Sequence, residues 1–130
     1  MKLMEAVNAY LAADEMSREQ WSYEVALAVV KVKRALKDEV DFFLTEERKL
    51  VARYAQKDDR GNIRLTGEGR FVFQDPLEGG DYERERRALG ETEVTPTHKL
   101  LRVRAPAEIK PAYIEALEGF VEFVTEEGAL

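Results

Sequence analysis

Arginine is the residue type in this chain that most suggests chemistry. Arg64 and Arg70 flank a glycine-bearing stretch, Arg84, Arg86 and Arg87 crowd one short segment, and Arg102 and Arg104 alternate along another. A guanidinium fork matches phosphate and carboxylate oxygens two at a time. Trp21, Phe71, Phe73 and Tyr82 offer flat faces on which a base can stack. Arginine beside an aromatic ring at a seam between subunits suits a nucleotide-like ligand. The expected ligand-binding residues are Arg18, Trp21, Arg70, Phe71, Arg102 and Arg104. The plainer reading of the same residues is salt bridging between subunits and ordinary core aromatics.

Other chemistries fail on spacing. His98 is the only histidine, so a multi-histidine metal site is excluded, and no nucleophile-base arrangement accompanies it. It reads as a structural or surface residue. No cysteine is present, which removes disulfides, thiolate nucleophiles and cysteine zinc sites. In Gln56–Asn62, placing Gly61 sixth in a calcium loop puts Arg60 at a ligand position, so the pattern breaks. The Gly67-Glu68-Gly69 run lies between two strand-like runs and lacks a Lys-Ser/Thr ending, so it is turn geometry and not a phosphate loop. No catalytic residue, metal or cofactor is expected, and the chain reads as non-enzymatic.

These side chains need elements to hold them. Leu3, Met4, Val7, Tyr10 and Leu11 recur at helical steps and predict a short helix over about residues 2 to 13. Ser17 and Gln20 have capping-box spacing ahead of the next element. From Arg18 to Lys57 there is neither proline nor glycine, and Trp21, Val25, Val29, Val32, Leu36, Val40, Phe43, Leu50 and Tyr54 form an apolar stripe, with Glu47 in its gap. This predicts one very long helix, about 18 to 57, spanning ~60 Å. Such a stripe fits a coiled coil or a helix packed along a partner chain, so a homo-oligomer is expected. The competing reading folds the C-terminal half of the same chain back onto the helix. Within it, Lys31, Lys33, Arg34 and Lys37 form a cationic cluster followed by Asp38, Glu39 and Asp41. Arg34 with Asp38 and Lys37 with Asp41 have pairing distance along a helix, and the cluster reads either as a solvated face or as an anion-binding strip.

Gly61 ends the helix, and Ile63 and Leu65 facing Phe71 and Phe73 predict a β-hairpin. Asp81 caps a short helix ending at Gly90, "TEVTP" and "HKLLRVR" are extended, and Pro111 opens a closing helix with Tyr113, Ile114, Leu117, Phe120, Val121 and Val124 on its apolar face. The last residues, "TEEGAL", fray, and no internal repeat is evident. The fold class is α+β, mainly helical: a long helix in a helical hairpin or coiled coil, then a β-hairpin, short strands and a closing helix. The 130 residues read as one domain, with a helical oligomerisation part over 1–57 and a mixed α/β part over 58–130.

The net charge of −6 disfavours general affinity for nucleic acid or anionic membrane. The N-terminal stretch is too acidic and broken for a signal peptide, and no apolar run is long enough to span a membrane. A cytoplasmic location is expected.

The ordered set Leu50, Tyr54, Lys57, Asp58, Gly61, Asn62, then Pro111, Ile114, Leu117 and Phe120 resembles a class of small phage-encoded proteins of unassigned function, over roughly Arg18 to Glu122. That class carries a leucine-tyrosine helix end, a "KD-x-x-GN" turn and a closing proline helix. In layout the chain is also similar to phage anti-Thoeris sponges, which oligomerise through long helices and hold nucleotide immune signals. The resemblance implies a counter-defence sponge in the cytoplasm of an infected bacterial host. The alternative it leaves open is a virion assembly factor or an inhibitor of a host protein, acting through protein contacts.

Overall fold

The computed structural model describes residues 1–125 and 128–129. Helix α1, Leu3–Met16, and helix α2, Tyr23–Tyr54, form a hairpin. On α1 the buried face is rich in small residues, Ala6, Ala9, Ala12 and Ala13, which lets the two helices approach closely. Across from them lie Val25, Ala28, Val29, Val32 and Leu36 of α2.

The corner between the helices differs from the expected capping box. Ser17 closes α1, its hydroxyl donating to the Asp14 carbonyl at 2.6 Å. Ser22 instead caps α2, accepting from the Val25 amide at 3.4 Å. The long helix therefore starts at Tyr23, not Arg18. It also stops at Tyr54, before the expected Lys57, because the Gln56 amide donates to the Val72 carbonyl at 2.7 Å and not to its own helix.

The apolar stripe of α2 is covered by its own chain. Val25, Val29, Val32 and Leu36 join a core with Val103, Tyr113, Leu117, Phe120, Val121 and Phe123. Further along, Val40 and Phe43 pack with Leu3 and Val7. The stripe that suggested a partner chain is thus satisfied by a helical hairpin and a folded-back C-terminal half. Glu47, the gap in the stripe, accepts from Arg86 Nε at 2.8 Å, and that guanidinium also lies over the Phe43 ring.

After α2 comes an arrangement richer than the expected hairpin. Three antiparallel bridges, Ala55 with Phe73, Lys57 with Ile63 and Leu65 with Phe71, link three short extended segments. Their central residues close a ring of hydrogen bonds: Gln56 N to Val72 O at 2.7 Å, Val72 N to Arg64 O at 3.0 Å, and Arg64 N to Gln56 O at 2.9 Å. Gln56, Arg64 and Val72 are eight residues apart, as are Gly61 and Gly69, which have φ of 80° and 82°. Ile63 and Phe73 therefore face Lys57 and Ala55, and only Leu65 and Phe71 pair as expected. Phe71, Phe73 and Tyr82 pack with centroids 4.8 to 5.7 Å apart and seat the ring on α3, Gly79–Gly90. A 3-10 turn, Pro76–Glu78, leads into α3.

Residues 91–94 run beside the N-terminus, with Leu3 N donating to Thr92 O and Val94 N to Met1 O. Strand β1, Leu101–Arg104, then pairs in parallel with β2, Val121–Thr125, in the register Leu101 with Val121. The closing helix is corrected to a short one: α4, Pro111–Ala116, ends ahead of Gly119, whose φ is 88°. Val121, expected on that helix, is in β2 and buried, and Val124 is in the same strand. Strand β3, Gly128–Ala129, pairs antiparallel with β2, where fraying was expected. Glu126, Glu127 and Leu130 of that segment lie outside the described residues. Among the described residues no helix is long and apolar enough to cross a membrane.

Candidate ligand-binding site

Three grooves on the described surface are roomy enough to compare. One of about 620 Å³ lies between α2 and α3, but its cations are already neutralised: Lys49 pairs with Glu46 at 3.0 Å and Arg53 with Glu85 at 2.8 Å. A second, of about 660 Å³, runs beside α4 and β2 and is lined by Glu115, Glu118 and Glu122, so it repels anions. The third, of about 360 Å³, lies between α2 and the approach to β1. It is mainly apolar, and it carries positive charge with no carboxylate in its lining.

Helix α2 supplies Lys31, Val32 and Ala35 to this third groove, and the chain entering β1 supplies Thr97, His98, Lys99 and Leu101, with Phe120 between them. The His98 ring rests on Phe120, centroids 4.5 Å apart, and its Nδ1 lies 3.1 Å from the Pro96 carbonyl. Neither Lys31 nor Lys99 has an ion-pair partner among the described residues. Their neighbours differ: Lys33 reaches Asp14 at 2.9 Å and Lys37 reaches Asp41 at 2.8 Å. Four residues after Lys31 stands Ala35, which neither neutralises the ammonium nor fills the groove. Two cations on either side of an aromatic-walled groove can hold an anion attached to a flat ring.

The six residues expected from sequence do not converge within one chain. Arg18 is exposed and pairs with Asp14 at 3.1 Å. Trp21 is half-buried, with Nε1 donating to the Met16 carbonyl at 2.7 Å and its ring against the core, so it locks the helix corner. Arg102 pairs with Glu122 at 3.1 Å. Arg104 is exposed, and its backbone amide donates to Glu24 at 2.9 Å. Arg70 is exposed in the turn closed by Thr66 N to Arg70 O, and Phe71 is packed against Phe73 and Tyr82. Arg70 and Phe71 lie beyond the C-terminal end of α2, whereas Trp21 precedes its start and Arg104 bonds to its first turn. The 32-residue helix between them spans ~48 Å.

None of His98, Lys99, Lys31 and Phe120 is among the six expected ligand-binding residues, although Lys31 belongs to the cationic strip noted in the sequence. The available signal was the missing acid four residues after Lys31 and the adjacent His98-Lys99 pair ahead of a strand. No group of three or more His, Asp or Glu residues fit to hold a metal ion occurs among the described residues. Searches against protein-family models, curated proteins and solved structures find no match for this chain.

Proposed function

We propose that this chain is a non-enzymatic binding protein, a phage accessory sponge that sequesters an anionic, nucleotide-like molecule. The observation that carries this reading is the pair of lysines without carboxylate partners, Lys31 and Lys99, across an apolar groove walled by His98 on Phe120. In this arrangement the flat ring of the ligand lies along His98 and Leu101, and its phosphate sits between the two ammonium groups. Turnover is not required, since tight reversible binding is itself the activity. The groove volume of about 360 Å³ lies at the small end of ligand pockets, which suits a mononucleotide or a cyclic product better than a long dinucleotide.

Binding only the folded state raises the melting temperature, so a panel of cyclic nucleotides and NAD-derived signals is the direct assay. A ligand of this class stabilises the wild-type protein, and Lys31→Glu with Lys99→Glu abolishes the shift. A flat response across the panel with ligand-free protein removes the sponge reading.

A protein-contact role is the second reading. It is favoured by Leu65 and Leu77, 63% and 90% exposed at the far end of the molecule from the groove. An inhibitor or assembly factor acting there loses its partner on Leu65→Asp and Leu77→Asp while the groove lysines remain dispensable.

A further inference from the structure

The buried stripe of α2 leaves the opposite side of the helix uncovered, and that side carries a pattern of its own. Tyr23, Leu27 and Val30 recur there at helical steps and are 81%, 36% and 39% exposed. The same side continues through Arg34, Lys37, Asp38 and Asp41, all in the middle of the 32-residue helix. It ends near the half-exposed Ala52. The order is apolar, then two cations, then two anions, then Thr45 and Arg48 ahead of the small Ala52.

We infer that this face pairs with the same face of a second copy of the chain, with the two α2 helices antiparallel. The occupant follows from charge. Antiparallel pairing about the point midway between Lys37 and Asp38 sets Arg34 opposite Asp41 and Lys37 opposite Asp38, each pair occurring twice by the two-fold symmetry. Arg34 has no ion-pair partner among the described residues, so it is available to the other copy, whereas Lys37 and Asp41 pair within their own helix at 2.8 Å and must exchange that exposed bond for the contacts across the seam. The same register lays the large Tyr23 ring over Ala52, and Leu27 along the stem of Arg48. Parallel pairing instead sets Arg34 against Arg34 and Asp41 against Asp41, which is repulsive at every charged step. This interface uses the side of α2 that faces away from its apolar stripe, with Lys31 of the groove at its flank.

Two charge-block variants test it by light scattering over a concentration series. The wild-type chain reaches twice its 14.9 kDa mass at micromolar concentration, and salt weakens the association. An acidic variant, Arg34→Glu with Lys37→Glu, and a basic variant, Asp38→Lys with Asp41→Lys, each place like charges across the seam. Each alone self-associates on the order of tenfold more weakly or worse. Mixed in equal amounts they form a heterodimer, because every charged pair is then opposite in sign. Circular dichroism confirms that both keep their helix, and Val30→Ser, which adds no charge beside Arg34, weakens the dimer independently. A wild-type mass that stays at 14.9 kDa overturns the proposal, as does self-association of both single variants at wild-type strength, or a mixture that remains monomeric.

Discussion

At the scale of single residues, the clearest test concerns hydroxyls and carboxylates with unequal partners. Tyr113 is buried, and its hydroxyl is the one buried side-chain polar atom without a hydrogen-bond partner among the described residues. Tyr113→Phe removes a desolvated group and no bond, so the melting temperature holds or rises, by the equivalent of up to ~1 kcal/mol. Tyr54 is the contrasting case: its hydroxyl donates to Glu85 at 2.7 Å, and Arg53 reaches the same oxygen at 2.8 Å. The Tyr54 hydrogen bond, first, and then the Arg53 contact hold Glu85 below the ordinary carboxylate range. Asp14 is likewise held low, chiefly by the hydrogen bond from Lys33. For a depressed carboxylate the stabilisation is complete above the unfolded pKa, about 3.9 for aspartate, and disappears as pH falls through the lower folded value. Asp14→Asn therefore flattens the acid limb of a stability-versus-pH curve below about pH 4 and leaves the neutral region changed by at most ~1 kcal/mol, because the pair is partly solvated. An acid limb as steep as the wild type's contradicts the assignment.

At the scale of elements, α2 shows what periodicity reveals and what it leaves out. The stripe from Val25 to Leu50 was legible because seven of its apolar side chains are buried at helical steps. Which surface covers them was not, since a stripe looks the same to a second chain and to the chain's own C-terminal half. Leu36→Ala removes a fully buried side chain and costs about 2–5 kcal/mol in denaturant unfolding. Leu27→Ala, on the uncovered side, leaves monomer stability within ~0.5 kcal/mol. The ring after α2 escaped the sequence reading for a different reason. Its three segments are only a few residues each, and their eight-residue spacing is carried by backbone hydrogen bonds and not by matching side chains. Gly61 and Gly69 hold the left-handed turns of that ring with open space around each Cα, so only the backbone conformation opposes a side chain there. Gly61→Val and Gly69→Val each destabilise by roughly 1–2 kcal/mol. The C-terminal segment misled in the same way: Tyr113, Leu117, Phe120, Val121 and Val124 have helical spacing, yet Gly119 turns the chain and the β-branched Val121 and Val124 enter a strand beside β1.

At the scale of the whole molecule, several of the arginines are engaged by carboxylates. Arg18, Arg53, Arg84, Arg86 and Arg102 each meet a carboxylate, in keeping with a chain of net charge −6. What distinguishes the groove at Lys31 and Lys99 is that two exposed lysines without ion-pair partners line one mainly apolar groove, and that depends on which segments pack together. The proposed function requires that one small groove on a negative protein captures an anion attached to a flat ring. Calorimetric titration of the wild-type chain and of the Lys31→Glu, Lys99→Glu double variant with the panel member giving the largest thermal shift tests it most directly. The proposed function gives saturable binding at one site per chain, weakened at least a hundredfold in the double variant, which corresponds to losing about 2.7 kcal/mol. Equal affinity in the two proteins, or no heat with any member of the panel, contradicts it.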